Sequence, residues 1–226
     1  MATIPPVMPQ PPPLPDWTGQ PAYLLGGGKS LTGFDFTQLQ NCNVIGCNQA
    51  FLTQPDIIDI VVFGDPGFWK RHCIDLAAFL GHVATNRTDL HTFGPLPKWL
   101  KIYKRIDTGL GEGETLAFNY NTGALAINLA ITLGAGPIYL LGYDCHTTGH
   151  WHGKAYEVAQ PSHYSRFIEG FESLEVAHRL IRPSQKMLNV CEQNSSKLGV
   201  FPIVPFSSAY LVAPNPEVSH ASLAPA

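Results

Sequence analysis

The stretch that decides the fold runs Asn121-Thr122-Gly123-Ala124-Leu125-Ala126-Ile127-Asn128-Leu129-Ala130-Ile131-Thr132-Leu133-Gly134-Ala135-Gly136-Pro137-Ile138-Tyr139-Leu140-Leu141-Gly142-Tyr143-Asp144. It reads as a polar turn, a small-residue helix over 122–133, a glycine and proline break, a buried strand over 138–141, and a polar loop with an acid. Thr122 is placed to cap the helix. The helix is apolar nearly all round, which predicts deep burial. A helix that starts at a polar turn and feeds a buried strand aims its N-terminus and the strand's carboxyl end at one place.

A second element of this kind stands near the start, where the short apolar run 22–25 ends in Gly26-Gly27-Gly28-Lys29-Ser30-Leu31. Between the two, 43–47 reads as a strand. The uninterrupted apolar run 57–64 reads as another, suited to burial on both faces. Pro66-Gly67 opens a helix whose apolar residues, from Phe68 through Cys73, Leu76 and Leu80, carry it to about Val83. Residues 101–106 read as a strand, 145–161 as a His-rich polar loop, 162–182 as a helix, 185–197 as a further helix and 199–204 as a last strand. The alternation predicts an α/β class with a mainly parallel sheet flanked by helices.

The chain has 226 residues, 14% charged, with a formal net charge of −3. That bounds it to one large domain and gives no global basic field for nucleic acid. The five cysteines form no CxxC pair, and are read as reduced thiols, three or four of them small buried hydrophobes, in a cytoplasmic protein. No signal peptide and no run long enough for a membrane span is read. Residues 1–21 are Pro-rich and read as a flexible arm, 22–213 as the domain, and 214–226 as a loose tail.

Ligands of an open parallel sheet sit outside the carboxyl ends of the strands. Candidate residues there are Gly26, Gly27, Gly28 and Ser30, whose backbone and hydroxyl would approach a phosphate. Asn48 and Gln49 would read a base or ribose. Asp65 would bind a ribose hydroxyl or Mg²⁺, or equally cap the helix behind it. Asn121, Thr122 and Gly123 would present a helix start to phosphate, with N-capping the plain alternative. Gly142 and Asp144 close the set. His146, His150 and His152 share a loop, with His163 beyond it. Their HxxxH and HxH spacings allow a metal site, with acid–base work the favoured role and no metal ligand assigned.

The order of these motifs resembles the small bacterial sialyltransferases of lipooligosaccharide synthesis. It also resembles related nucleotide-binding domains, including the archaeal-type 6-hydroxymethylpterin pyrophosphokinases and phage-borne members. The resemblance covers roughly residues 22 to 214. Gly26-Gly27-Gly28-Lys29-Ser30-Leu31 stands where the family has Gly-x-Gly-Pro-Ser-Leu, and Cys47-Asn48-Gln49 is intact. Asp65-Pro66 replaces Asn-Pro, Asn121-Thr122-Gly123 replaces Thr-Ser-Gly, and Gly142 and Asp144 match Gly-x-Asp. Two family tyrosines on the donor phosphate fall at about His146 and His152. Ser162-His163-Tyr164 keeps the His proposed as general base, and Lys197-Leu198 through Pro205 and Ser207 resembles the closing segment.

The resemblance implies a single Rossmann-like domain and a glycosyltransferase that takes a CMP-sugar donor and an unknown acceptor. His163 would be the base, His146 and His152 the groups at the leaving phosphate, and no cofactor would be needed. The related sialyltransferases form homo-oligomers, so the resemblance allows one here. Two alternatives stay open. One is a Mg²⁺-dependent phosphoryl or pyrophosphoryl transferase of the pterin type, with Asp65 and Asp144 on the metal. The other is a non-catalytic nucleotide-binding or phage assembly protein.

Overall fold

The computed structural model describes residues 13–146, 149–153, 161–192 and 196–207, the side chains of residues 161 and 162 excepted. The strands are β1 (Ala22–Leu25), β2 (Asn43–Cys47), β3 (Ile60–Phe63), β4 (His82–Thr85), β5 (Leu100–Ile102), β6 (Lys104–Ile106), β7 (Thr115–Ala117), β8 (Ile138–Leu141), β9 (Met187–Val190) and β10 (Ile203–Val204). The helices are α1 (Pro66–Ala78), α2 (Thr122–Thr132) and α3 (Pro161–Ile181).

Eight strands form one sheet in the order β10-β9-β8-β1-β2-β3-β4-β5, and every pairing in it is parallel. The chain walks outward from β1 to β5, returns through α2, and resumes at β8 on the other side of β1. The reversal therefore lies between β1 and β8, the place where an open parallel sheet leaves a crevice beyond its strand ends.

Period-two alternation sends the strand residues to two cores. Ala22, Leu24, Ile45, Ile60, Val62, Ile138 and Leu140 pack with α2 on one face. Tyr23, Leu25, Val44, Val61, Phe63, Tyr139 and Leu141 pack on the other with Phe68, Trp69 and Leu76 of α1. Because α2 is enclosed by the sheet, the small sheet and α3, its residues from Ala124 through Ile131 are all buried. This explains the absence of a polar face in the sequence.

Several expectations are corrected. The cap of α2 is Asn121, whose Oδ1 accepts from the Ala124 N–H at 2.7 Å, and not Thr122. Helix α1 ends at Ala78, and Val83 belongs to β4. The chain leaves the helix at Phe79, which is extended, and passes so close to Asp59 that a Cβ at Gly81 would lie 2.4 Å from the Asp59 carbonyl oxygen. Residues 101–106 divide at Tyr103, whose N–H bonds to the Thr85 oxygen at 2.8 Å. β5 therefore stays in the large sheet while β6 pairs with β7 in a second, two-stranded one.

The expected helix over 185–197 contains β9, paired with β8 from Ile138↔Met187 to Leu141↔Val190. Its inward Asn189 is fully buried and bonds to Ser196 Oγ at 3.0 Å, which hides the alternation. Cys47 and Cys191 are buried, while Cys42, Cys73 and Cys145 are only half-buried.

The arm expected over 1–21 is packed from its later part onward. Trp17 is 3% exposed and its N–H bonds to the Leu133 oxygen at 2.8 Å. Residues 1–12 and the tail 214–226 lie outside the described residues. Among the described residues no helix is long and apolar enough to cross a membrane.

Asn128 is the one polar side chain on the enclosed stretch of α2. Its Oδ1 accepts from the N–H groups of Gly111 at 2.8 Å and Ala117 at 2.7 Å, and its Nδ2 donates to the Gly111 oxygen at 2.8 Å. Asn128→Leu orphans three buried backbone groups and is expected to destabilise the fold by about 2–4 kcal/mol. A urea midpoint within error of the unchanged chain would refute this.

Candidate functional site

A cleft of about 410 Å³ opens where β1, β2 and β8 end and α2 begins. It brings together Gly26, Gly27, Gly28, Asn48, Gln49, Asp65, Asn121, Thr122, Gly123, Gly142, Asp144, His146, His152 and His163. Of the expected set, Ser30 alone is outside its lining.

Ser30 has a different task. Its N–H and hydroxyl donate to the two oxygens of Asp144, at 2.8 and 2.5 Å. Asp144 is 2% exposed. A buried carboxylate needs such donors, and here they tie the end of β8 to the turn after β1. The glycines in that turn are required by contact. A Cβ on Gly28 would lie 2.3 Å from the Asp144 carboxyl carbon, one on Gly27 would lie 2.2 Å from His150 Nδ1, and one on Gly26 would lie 2.5 Å from the Gly142 oxygen. The N–H groups of Gly26 and Gly28 are spent on the oxygens of Leu141 and Gly142. Those two N–H groups are therefore not available to the phosphate expected at this turn. The turn is also the seat of the loop after β8: Trp151 Nε1 donates to the Gly26 oxygen at 2.8 Å and His150 Nδ1 to the Gly27 oxygen at 3.1 Å.

Across the cleft, Asn48 sits at φ 51° after β2. This left-handed turn, which Asn tolerates better than most residues, brings its Oδ1 within 3.4 Å of Thr122 Oγ1. Because Asn121 does the capping, the Thr122 hydroxyl is released to the cleft. The N–H groups of Thr122 and Gly123 lie in the first turn, where helix geometry provides no intrahelical acceptor. Tyr143 lies beneath, its hydroxyl donating to the Gly123 oxygen at 3.2 Å. Burial first, then the nearby Cys47 thiol, holds this phenol well above its ordinary range. Asn121 and Asp65 are structural anchors at the cleft wall. Asn121 Nδ2 donates to the Asn119 oxygen at 2.9 Å, and Asp65 accepts from the Gly67 N–H at 2.8 Å as the cap of α1.

The imidazoles arrive from two sides. His163, exposed, stands in the first turn of α3. His146 Nε2 lies 3.9 Å from Asp144 Oδ2. His152 stacks on His150 with centroids 5.3 Å apart. Among the described residues no group of three His, Cys, Asp or Glu is arranged to hold a metal ion. The Ser162 side chain lies outside the described residues.

Sequence reasoning missed several wall residues. Arg71 projects from α1, its Nη2 3.6 Å from Asp65, and adds a cation to the cleft. Tyr164, beside His163, supplies a phenol where the aligned tyrosine positions carry imidazoles; its pKa is raised by burial, then by Cys145 and Asp144. Tyr164 adjoins a residue already chosen. Arg71 carried no local signal, since its relation to the cleft exists only once α1 packs on the sheet.

No family model matches the chain, and no curated protein sequence matches it. Among solved structures, a monofunctional alpha-2,3-sialyltransferase from Campylobacter jejuni is similar, with a TM-score of 0.50 and 18% identity over 82% of this chain and 80% of that one. The likeness shows the fold: a single α/β domain of Rossmann-like type.

Two outcomes test the site's framework. Ser30→Ala removes the hydroxyl donor from a buried carboxylate and is expected to cost about 1.5–3 kcal/mol; an unshifted denaturation curve would rule out the link. Burial lowers the His150 pKa from its ordinary 6.5, with the bond to the Gly27 oxygen opposing. The unfolded chain then binds its proton first, so stability present above pH 6.5 is lost as pH falls toward the folded value. Melting temperature should fall between pH 7 and pH 5, and less steeply in His150→Gln. Because His82 is shifted in the same direction by burial, the difference between the two chains is the quantity that counts.

Proposed function

We propose that the protein is a glycosyltransferase that uses a nucleotide-activated sugar, of sialyltransferase type with a CMP-sugar donor. One observation carries the reading: a single cleft at the sheet's reversal gathers the glycine turn, the Asn48–Thr122 pair and the imidazoles of His146, His152 and His163. The same fold serves a sialyltransferase from Campylobacter jejuni.

The nucleotide lies across the strand ends, with its phosphate at the N-terminus of α2, where the first-turn N–H groups and the Thr122 hydroxyl favour an anion. Asn48 and Gln49 hold the nucleoside. As the sugar carbon parts from the phosphate oxygen it gains positive charge, and the bonding pair leaves with CMP. The acceptor hydroxyl oxygen bonds to that carbon while His163 takes its proton. His146, His152 and Arg71 offset the charge growing on the departing phosphate. Arg71 supplies a fixed cation and the imidazoles supply hydrogen-bonding groups, so the proposed transfer draws on no metal. The pterin-type alternative would draw on Asp65 and Asp144, and both are engaged elsewhere, one as a helix cap and the other in the bond to Ser30.

Thermal shift with CMP in EDTA is the primary test, since a ligand of the folded state raises the melting temperature by mass action. A shift with CMP that EDTA leaves intact is expected. Thr122→Ala should weaken CMP binding by about tenfold, the loss of one hydrogen bond. His163→Ala should retain CMP binding and lower transfer by roughly 10²–10⁴-fold. A shift seen only with ATP and Mg²⁺ would transfer the assignment to phosphoryl transfer, and no shift with any nucleotide would favour an assembly role.

A further inference from the structure

A second cavity of about 420 Å³ adjoins the cleft and shares Phe118 and Tyr120 with it; Arg105, Asp107 and Arg166 complete its lining. Each guanidinium lies on one of the shared rings. Arg105 Cζ is 4.1 Å from the Phe118 centroid and Arg166 Cζ is 4.5 Å from that of Tyr120. Stacking of this kind holds the planar group in place while leaving its edge N–H donors for an acceptor.

The two cations come from different parts of the chain. Arg105 is on β6 and Arg166 on α3, in the turn after the one that carries His163. The Tyr120 ring is placed by a strained backbone, φ 63°, following Asn119 at φ 47°. A buried Asn119 side chain maintains that turn through paired bonds to the Gly109 backbone, both 2.8 Å.

Arg105 Nη1 is buried and makes no hydrogen bond among the described residues. Its carboxylate neighbour Asp107 is 3.5 Å from Nε and 85% exposed, a screened contact that an incoming anion can displace. Arg166 has no carboxylate partner among the described residues. Burial first, then Arg87, depresses the Arg105 pKa, as expected where cations gather with too few counter-charges.

We infer that this cavity is the acceptor subsite, and that Arg105 and Arg166 select an acceptor sugar carrying a carboxylate or phosphate group. The inference rests on the glycosyltransferase reading and deepens it. A planar fork matches either oxyanion, and the shared wall of Phe118 and Tyr120 sets the acceptor's remaining ring beside the donor cleft.

The test is nuclear magnetic resonance of the arginine Nε–H groups in the full chain, with the Arg105 and Arg166 signals assigned through Arg105→Lys and Arg166→Lys. Glucuronate, glucose 6-phosphate and glucose are titrated separately. Expected are saturable shifts of both signals with the two charged sugars, none with glucose, and a dissociation constant raised about tenfold or more in Arg166→Gln, the loss of one charge-assisted contact. Arg166 is exposed, so this variant folds even if an Arg105 variant does not. Signals that move equally with glucose, or that follow only ionic strength, would overturn the subsite. CMP titrated into the same sample reports on the Thr122 and Gly123 amides. Silence there, with the arginines responding, would defeat the glycosyltransferase reading and leave the anion site standing.

Discussion

Asp144 is a carboxylate buried where the sheet reverses direction, and its need for donors organises what surrounds it. Ser30 provides two, from its hydroxyl and its N–H, joining the turns beyond the carboxyl ends of β1 and β8. That bond fixes the glycine turn, and the glycines admit the carboxylate and the His150 loop at distances no side chain would tolerate. Behind it, Lys197 N–H reaches the Asp144 oxygen at 2.8 Å and Ser196 Oγ reaches the Tyr143 oxygen at 2.9 Å, so the segment before β10 is anchored to the same point. The cleft's floor is thus held by a cluster of hydrogen bonds in a low-dielectric setting, where such bonds are strongest.

The two sides of the cleft differ in character. Tyr143, Asn121 and the enclosed body of helix α2 from Ala124 to Ile131 make one side rigid: all of these residues are buried. The His-bearing side consists of loop and helix-start residues, half-buried or exposed. The proposed transfer would place a nucleotide on the rigid side and a proton acceptor on the accessible side, since positioning must be stiff and access must be open.

Legibility in the sequence followed contiguity. β1, β2, β8 and α2 were readable because each is a mainly apolar run bounded by glycine, asparagine or proline. α3 was readable from its length. β4 was lost because apolar residues at helical spacing continue past Ala78, although the helix ends there and the chain turns into β4 past Gly81. β9 was lost because the inward Asn189 takes a core position. The expected cleft residues converge as read, Ser30 excepted, but their roles divide. Asn121, Asp65 and Asp144 serve the framework, and a polar residue at a strand end reads the same whether it binds the fold or a ligand. Arg71, Arg105 and Arg166 were illegible, because tertiary packing alone brings them beside the cleft and its neighbouring cavity.

The parallel sheet also has a history in time. β1 is a central strand that pairs with β2 at once but with β8 only much later, and Ser30 and Asp144 are separated by 114 residues. At about 5–20 residues synthesised per second, the β8-facing edge of β1 stays unpaired for roughly 6 to 23 s. Through that interval the nascent chain carries a strand with one edge of backbone N–H and C=O groups unpaired and with side chains that the folded sheet buries. The demand that falls on the cell is to shield a growing chain, well before any ligand is met.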